Sequence, residues 1–146
     1  MLDVPLRDVV DASRLLTAPG SSWVRDACRM MATAQVGAVL VVDDGALRGI
    51  FTERDAVFRV MAAGLDPDAT PISRVMTQAP MTLSADKPLG TALALMQKHG
   101  FRHVPVIDAG RLLGVVSARK ALDPELEEFI AEARRRDRYL ALASPG

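Results

Sequence analysis

Residues 36–56, VGAVLVVDDGALRGIFTERDA, return as residues 101–121, FRHVPVIDAGRLLGVVSARKA. Aligned without gaps, the two stretches are identical at eight positions: 39, 41, 43, 45, 47, 49, 54 and 56. Chance pairing at average composition gives roughly one or two. One position inverts its charge: Asp55 of the first copy becomes Lys120 in the second. Upstream, residues 4–10, VPLRDVV, match residues 70–76, TPISRVM, so the duplication extends over most of the chain. Self-similarity at a fixed period marks a supersecondary unit that buries its apolar face only against a neighbour.

Both copies carry the same element pattern. Leu15, Leu16 and Thr17, and again Met81, Thr82 and Leu83, read as short strands bounded by proline or glycine. A helix follows in each. In the first copy Val24, Ala27, Cys28 and Met31 share a face, with Ser22 as the expected cap. In the second, Leu89, Leu93 and Met96 share a face, Asp86 is the expected cap, Pro88 stands in the first turn and Gly100 ends the helix. Two strands come next, residues 38–42 and 47–51, joined by Asp43-Asp44-Gly45; the cognate turn is Asp108-Ala109-Gly110. Such residues suit a tight hairpin. A second helix is expected from Thr52 to about residue 63, ended by Gly64.

The order β-α-β-β-α, twice, predicts an α/β (α+β) protein of two pseudo-symmetric units packed through their sheets. The expected division is 1–66 for the first repeat with its N-terminal segment, 67–122 for the second, and 123–146 for a C-terminal helix and tail. Two half-covered sheets packed about a pseudo-twofold axis would bury both faces and bring equivalent loops into a cleft, where function is expected.

Composition narrows the classes. Apolar residues make up 49% and charged residues 25%, which is globular rather than disordered. Eighteen basic residues balance eighteen acidic ones, so no global field holds nucleic acid or a membrane surface, and any anion site is local. The single cysteine, Cys28, excludes an intramolecular disulfide. The acidic N-terminus lacks an apolar core of the secretory kind, and the longest apolar run is too short to span a bilayer. The expectation is a cytoplasmic protein without nucleic-acid or membrane partners.

The segments VLVVDDGALRGIFTERD and RHVPVIDAGRLLGVVSARK resemble cystathionine-β-synthase-type (CBS) repeats, two of which in tandem form a Bateman module. The resemblance covers residues 4–122. It rests on the Gly-apolar-apolar-Thr/Ser-x-x-Asp signature and the His-x-Pro-Val segment, duplicated at a constant period. It implies a module that regulates rather than catalyses and that takes an adenosine nucleotide in the cleft. It also implies that Thr/Ser and Asp hold the ribose, and that basic residues at the start of the His-x-Pro-Val strand face the phosphates.

The candidate residues each carry two readings. Thr52 and Asp55 suit a capping box at a helix start, and also suit a carboxylate that accepts both ribose hydroxyls. Ser117 can cap in the same way. Lys120 is either a surface lysine or, with Arg119, Arg102 and His103, part of a local anion site that supplies phosphate-binding charge. Thr17 and Thr82, with Leu16, Val39 and Val104, fit either the core or an apolar slot gripping a purine. Because Lys120 replaces the carboxylate of the second copy, one occupied site per chain is expected.

Metal and catalytic constellations are not expected. His99 and His103 are separated by a helix-ending Gly100, and Cys28 lies in an apolar stripe. Asp123-Pro124-Glu125 reads as a helix start, Leu126, Phe129, Ile130 and Ala133 as a stripe, and residues 134–136, all arginine, as a basic helix end. That tail is either a packed helix or a dimer element. A homodimer is expected, with Val57, Val60 and Met61 as contacts, together with an unidentified protein effector reached through association. No cofactor is required; the expected ligand is an adenine nucleotide, with AMP, ADP, ATP and S-adenosylmethionine undistinguished. The alternative is a ligand-free structural or dimerisation module.

Overall fold

The computed structural model describes residues 1–121, 123 and 125–143. It divides into two compact units, one formed by Ser13–Met81 and the other by Met1–Ala12 together with the chain from Thr82 onward. The first contains a four-stranded sheet in the order β1 (Thr17–Ala18), β2 (Ala38–Asp43), β3 (Ala46–Thr52), β4 (Thr77–Gln78). The second contains a three-stranded sheet, β5 (Leu83–Ser84), β6 (His103–Asp108), β7 (Arg111–Ser117). In each unit a parallel pair is joined by a crossover helix, α1 (Val24–Ala34) between β1 and β2 and α4 (Leu89–His99) between β5 and β6. An antiparallel hairpin follows in both. Both hairpins turn on two residues with positive φ, Asp44 (52°) with Gly45 (74°) and Ala109 (50°) with Gly110 (80°), the conformation that matches strand twist. The β-α-β-β-α repeat is therefore present twice, the second copy closing on the short helix α5 (Ala118–Ala121), and a C-terminal helix, α6 (Leu126–Ala143), is present as well.

The helix starts differ from the sequence expectation. Neither Ser22 nor Asp86 caps its helix: the N-cap positions are Trp23 and Pro88, without side-chain caps. The free amides are satisfied by distant backbone instead. Val24 N–H donates to the Thr70 carbonyl (2.9 Å) and Arg25 N–H to that of Pro67 (3.1 Å). In the other unit Leu89 N–H donates to the Val4 carbonyl and Gly90 N–H to that of Leu2, both at 2.8 Å. The correspondence continues in the return direction. Ile72 and Ser73 N–H donate to the Ser22 and Gly20 carbonyls, as Leu6 and Arg7 N–H donate to those of Lys87 and Ala85. Each crossover helix is thus capped by the segment that precedes the other repeat. That is why the N-terminal twelve residues belong to the unit of the second repeat, although in sequence they precede the first.

Each unit has its own core. In the first, Val39, Val41 and Phe51 of the hairpin pack with Val24, Ala27 and Met31 of α1 and with Ile72 and Val75 of α3 (Ile72–Val75). In the second, Val104, Val106 and Val116 pack with Leu89, Ala92 and Met96, with Leu6 and Val9, and with Leu126 and Ile130 of α6. Arg134 of α6 also pairs with Asp8 at 3.2 Å. The three arginines at 134–136 lie in the middle of α6 and not at its end, because the helix continues to Ala143. Of the expected Asp123-Pro124-Glu125 start, Pro124 lies outside the described residues, while Asp123 accepts the Glu125 N–H.

After β3 the chain makes one turn, α2 (Glu53–Asp55), and continues as a π-helical stretch, Ala56–Met61. Ala62 N–H bonds to the Val57 carbonyl and Leu65 N–H to that of Val60, five residues apart in both cases. This wider winding breaks the 3.6-residue spacing. Val60 is consequently buried in the core, a correction to its expected place on an exposed contact face, while Val57, Phe58 and Met61 are exposed.

The cognate glycines Gly49 and Gly114 meet unequal surroundings. A Cβ on Gly49 would lie 2.8 Å from the Thr77 carbonyl oxygen, whereas one on Gly114 would first meet the Val10 side chain at 3.1 Å. Gly49→Ala should therefore lower unfolding free energy by about 1–3 kcal/mol. Gly114→Ala should cost less, as read by denaturant titration of both variants.

Candidate functional site

The hairpin ends in both units at the same corner, where a strand hydroxyl starts a helix. In the first unit Thr52 and Asp55 form a full capping box. Asp55 N–H donates to Thr52 Oγ1 (3.2 Å), and Asp55 Oδ2 accepts from the Thr52 backbone N–H (3.0 Å) and hydroxyl (3.2 Å). Arg59, one turn on, approaches Asp55 Oδ1 at 3.5 Å. Asp55 is buried, with 8% of its surface exposed, the one acidic residue so placed among the described residues. Thr17 is exposed at the start of β1 and pairs with Leu40, two residues along β2 from Ala38, whose partner is Thr52.

In the second unit Ser117 repeats half of this arrangement. Lys120 N–H donates to Ser117 Oγ at 3.1 Å, but no carboxylate returns the bond. Lys120 Nζ instead lies 4.2 Å from the centroid of the Phe129 ring on α6. The charge inversion thus has a local partner, a cation over an aromatic face. His103 stands directly across the hairpin from Ser117, and the Arg102 carbonyl accepts the Ala118 N–H, so Arg102, His103, Ser117, Arg119 and Lys120 gather at one end of the hairpin. Arg102 and Arg119 are exposed, and Thr82 is exposed just ahead of β5. Val39 and Val104 are fully buried core residues.

Other candidates resolve into packing. The His99 ring stacks on Phe101 with centroids 5.5 Å apart, and Gly100 between them adopts φ 79°. Among the described residues no group of three or more His, Cys, Asp or Glu is placed to hold a metal ion. Burial pushes the Cys28 thiol up from its ordinary value, with Arg25 opposing. That disfavours the thiolate, the reactive form.

One feature lies outside the sequence-derived set. A shallow surface cavity, wide open to solvent and about 730 Å³ in volume, is lined in the first unit by Gly20, Ser21, Trp23, Asp43, Pro71 and Ser73, among others. Asp43 accepts the Gly20 N–H at 3.2 Å. In the second unit Arg7 pairs with Asp86 and, at 3.5 Å, with Asp108. Trp23, as the chain's single tryptophan ahead of a helix, was the available signal in the sequence.

The CBS-domain profile matches residues 3–62 and again 72–124. The chain belongs to the CBS-domain family. A CBS domain-containing protein of Arabidopsis thaliana, CBSCBSPB3, is 41% identical over 111 residues, covering 75% of this chain and 20% of that protein. The chain therefore spans about a fifth of the length of that curated relative. The crystal structure of a conserved protein from Pyrococcus horikoshii superposes with a TM-score of 0.77 at 31% identity, over 84% of this chain and 92% of that one. The CBS domain protein PAE2072 from Pyrobaculum aerophilum, complexed with AMP, shares the fold with a TM-score of 0.73 at 23% identity, over 88% and 99% of the two chains. Tandem CBS repeats are thus the framework on which both corners are built.

The Lys120–Phe129 contact is open to a double-mutant cycle. Lys120→Met and Phe129→Leu, singly and together, should give a coupling of about 0.5–1 kcal/mol in unfolding free energy. A coupling of zero would mean that the ammonium spends its time in water.

Proposed function

We propose that this chain is a regulatory CBS module that binds an adenine nucleotide, with ribose hydroxyls on Asp55 and Thr52 and phosphates on the basic residues of the second repeat. The boundaries 1–66, 67–122 and 123–146 are its functional division, and a cytoplasmic setting fits the single Cys28. Among the described residues no helix is long and apolar enough to cross a membrane. The observation that carries the reading is the Thr52–Asp55 corner. An ionised carboxylate offers about four acceptor positions. Thr52 uses two of them on Oδ2, and Arg59, half-exposed, stands off Oδ1 at 3.5 Å. The Val75 and Met76 carbonyls accept from the Arg59 guanidinium at 3.4 and 3.0 Å and hold it beside Oδ1, which keeps acceptor capacity for a vicinal diol. The AMP complex of a protein with the same fold makes adenine nucleotides the ligand class to try first. Arg102, His103, Arg119 and Lys120 of the second repeat are the proposed phosphate-binding residues, and with position 120 no longer a carboxylate a single nucleotide per chain is the proposed stoichiometry. Catalysis has no part in this reading.

A second reading has one observation in its favour: the capping box is complete without a ligand, so the carboxylate already has structural work. In that case the chain is a ligand-free dimerisation module. Calorimetry with AMP and adenosine at fixed protein concentration separates the two. AMP should bind saturably and raise the thermal midpoint by mass action. Asp55→Asn should weaken AMP and adenosine alike. Lys120→Asp should weaken AMP roughly tenfold, much less for adenosine, and the loss should shrink at high salt. No heat and no midpoint shift with either ligand would leave the ligand-free module standing.

Output passes through association, with a second copy of the chain and with a protein effector. The exposed Val57, Phe58 and Met61 on the turn after Asp55 supply the apolar contact for the homodimer. Sedimentation at high micromolar concentration should give a dimer that Phe58→Glu converts to monomer. A monomeric parent protein would contradict the assignment.

A further inference from the structure

The cavity beside Trp23 has a cognate in the second unit, and the backbone bonds fix the correspondence. Ser73 N–H bonds to the Gly20 carbonyl as Arg7 N–H bonds to that of Ala85, and the Trp23–Pro71 bridge repeats the Pro88–Pro5 bridge. Ser73 therefore occupies the place of Arg7, Ser21 that of Asp86, Asp43 that of Asp108 and Trp23 that of Pro88. In the second unit the Arg7 guanidinium lies against Asp108 at 3.5 Å and pairs with Asp86, so the chain fills this place with its own cation. In the first unit one of the two carboxylates is retained as Asp43, the other is replaced by the Ser21 hydroxyl, and the guanidinium is gone. Asp43 keeps acceptor capacity beyond the Gly20 N–H, it is the one charged residue among the described residues of the lining, and Ser21 and Ser73 add hydroxyl acceptors. Trp23, 46% exposed, offers an indole face where the second unit has a proline.

We propose that this cavity is a binding site for a guanidinium group, that of an arginine side chain on a partner protein, held between the Asp43 carboxylate and the face of Trp23. The chemistry matches the group on both sides. A guanidinium pairs with carboxylates through a planar fork and stacks on aromatic faces, and Trp is the strongest cation–π acceptor. The walls are pre-formed, because residues 20–24 and 70–73 are tied by three backbone hydrogen bonds, from Val24, Ile72 and Ser73. The site lies within one unit and is independent of nucleotide binding.

Trp23 is the chain's only tryptophan, so intrinsic fluorescence reports on this site alone among indoles. The probe is N-acetylarginine methylamide, with the uncharged N-acetylcitrulline methylamide as isostere. The arginine compound should change Trp23 emission saturably, and the citrulline compound should bind at least fivefold more weakly. Asp43→Asn, which keeps an oxygen for the Gly20 N–H, should weaken the arginine compound at least fivefold. Ser73→Arg, at an exposed position, should rebuild the second unit's arrangement and weaken it at least tenfold. Equal responses to arginine and citrulline compounds, no saturable response, or a Ser73→Arg variant that folds and binds like the parent would each overturn the proposal. The isostere comparison needs only the parent protein, so it decides the matter even where a variant fails to fold.

Discussion

The constraint on which the rest of the structure depends is the capping of each crossover helix by the segment ahead of the other repeat. The first amides of a helix have no partner inside it, and leaving them buried and unpaired costs free energy comparable to lost hydrogen bonds. Here the carbonyls of Thr70 and Pro67 serve α1, and those of Val4 and Leu2 serve α4. Leu6 and Val9, or Ile72 and Val75, then anchor the capping segment in the core it serves. A compact unit is therefore built from two stretches of chain, and the sequence repeat is not the folding unit. The same ties hold residues 20–24 against 70–73 and shape the cavity beside Trp23.

On this common frame the two repeats differ in chemistry while sharing the hairpin, its turn and the backbone caps of the crossover helix. The hydroxyl of Thr52 or Ser117 caps the amide three residues on, whatever side chain that residue carries. Asp55 reinforces its cap with a reciprocal bond. Lys120 cannot, and a cation at a helix start is disfavoured by some tenths of a kcal/mol. Phe129 offsets that cost by presenting its ring to the ammonium. A comparable exchange separates Arg7 from Ser73: one repeat satisfies its carboxylate internally and the other leaves a cavity next to it.

Features set by neighbouring residues were legible in the sequence. The hairpins announce themselves in Asp43-Asp44-Gly45 and Asp108-Ala109-Gly110, the helix stop in Gly100, and the Thr52 cap in the acid three residues later. The helix starts were not legible, because Ser22 and Asp86 suit a cap locally and are displaced by carbonyls 42 to 88 residues away in sequence. Val60 was misplaced because α-helical spacing fails in a π-helical turn, and the arginines at 134–136 because nothing local marks where α6 ends. The corner residues could be found by aligning the copies, since their position in the hairpin fixes their place. The Arg7 and Ser73 difference lay in the same alignment, but its meaning depends on which carboxylate each residue reaches. Only the exchanged packing of the segments supplies that.

The most direct test of the account is a titration of isotopically labelled protein with AMP, followed residue by residue through backbone amide shifts. The account predicts saturable shifts at Thr52 and Asp55 together with Ser117 and Lys120, with adenosine reproducing those of the first pair and diminishing those of the second. Shifts absent from both corners, or confined to residues around Trp23, would contradict it.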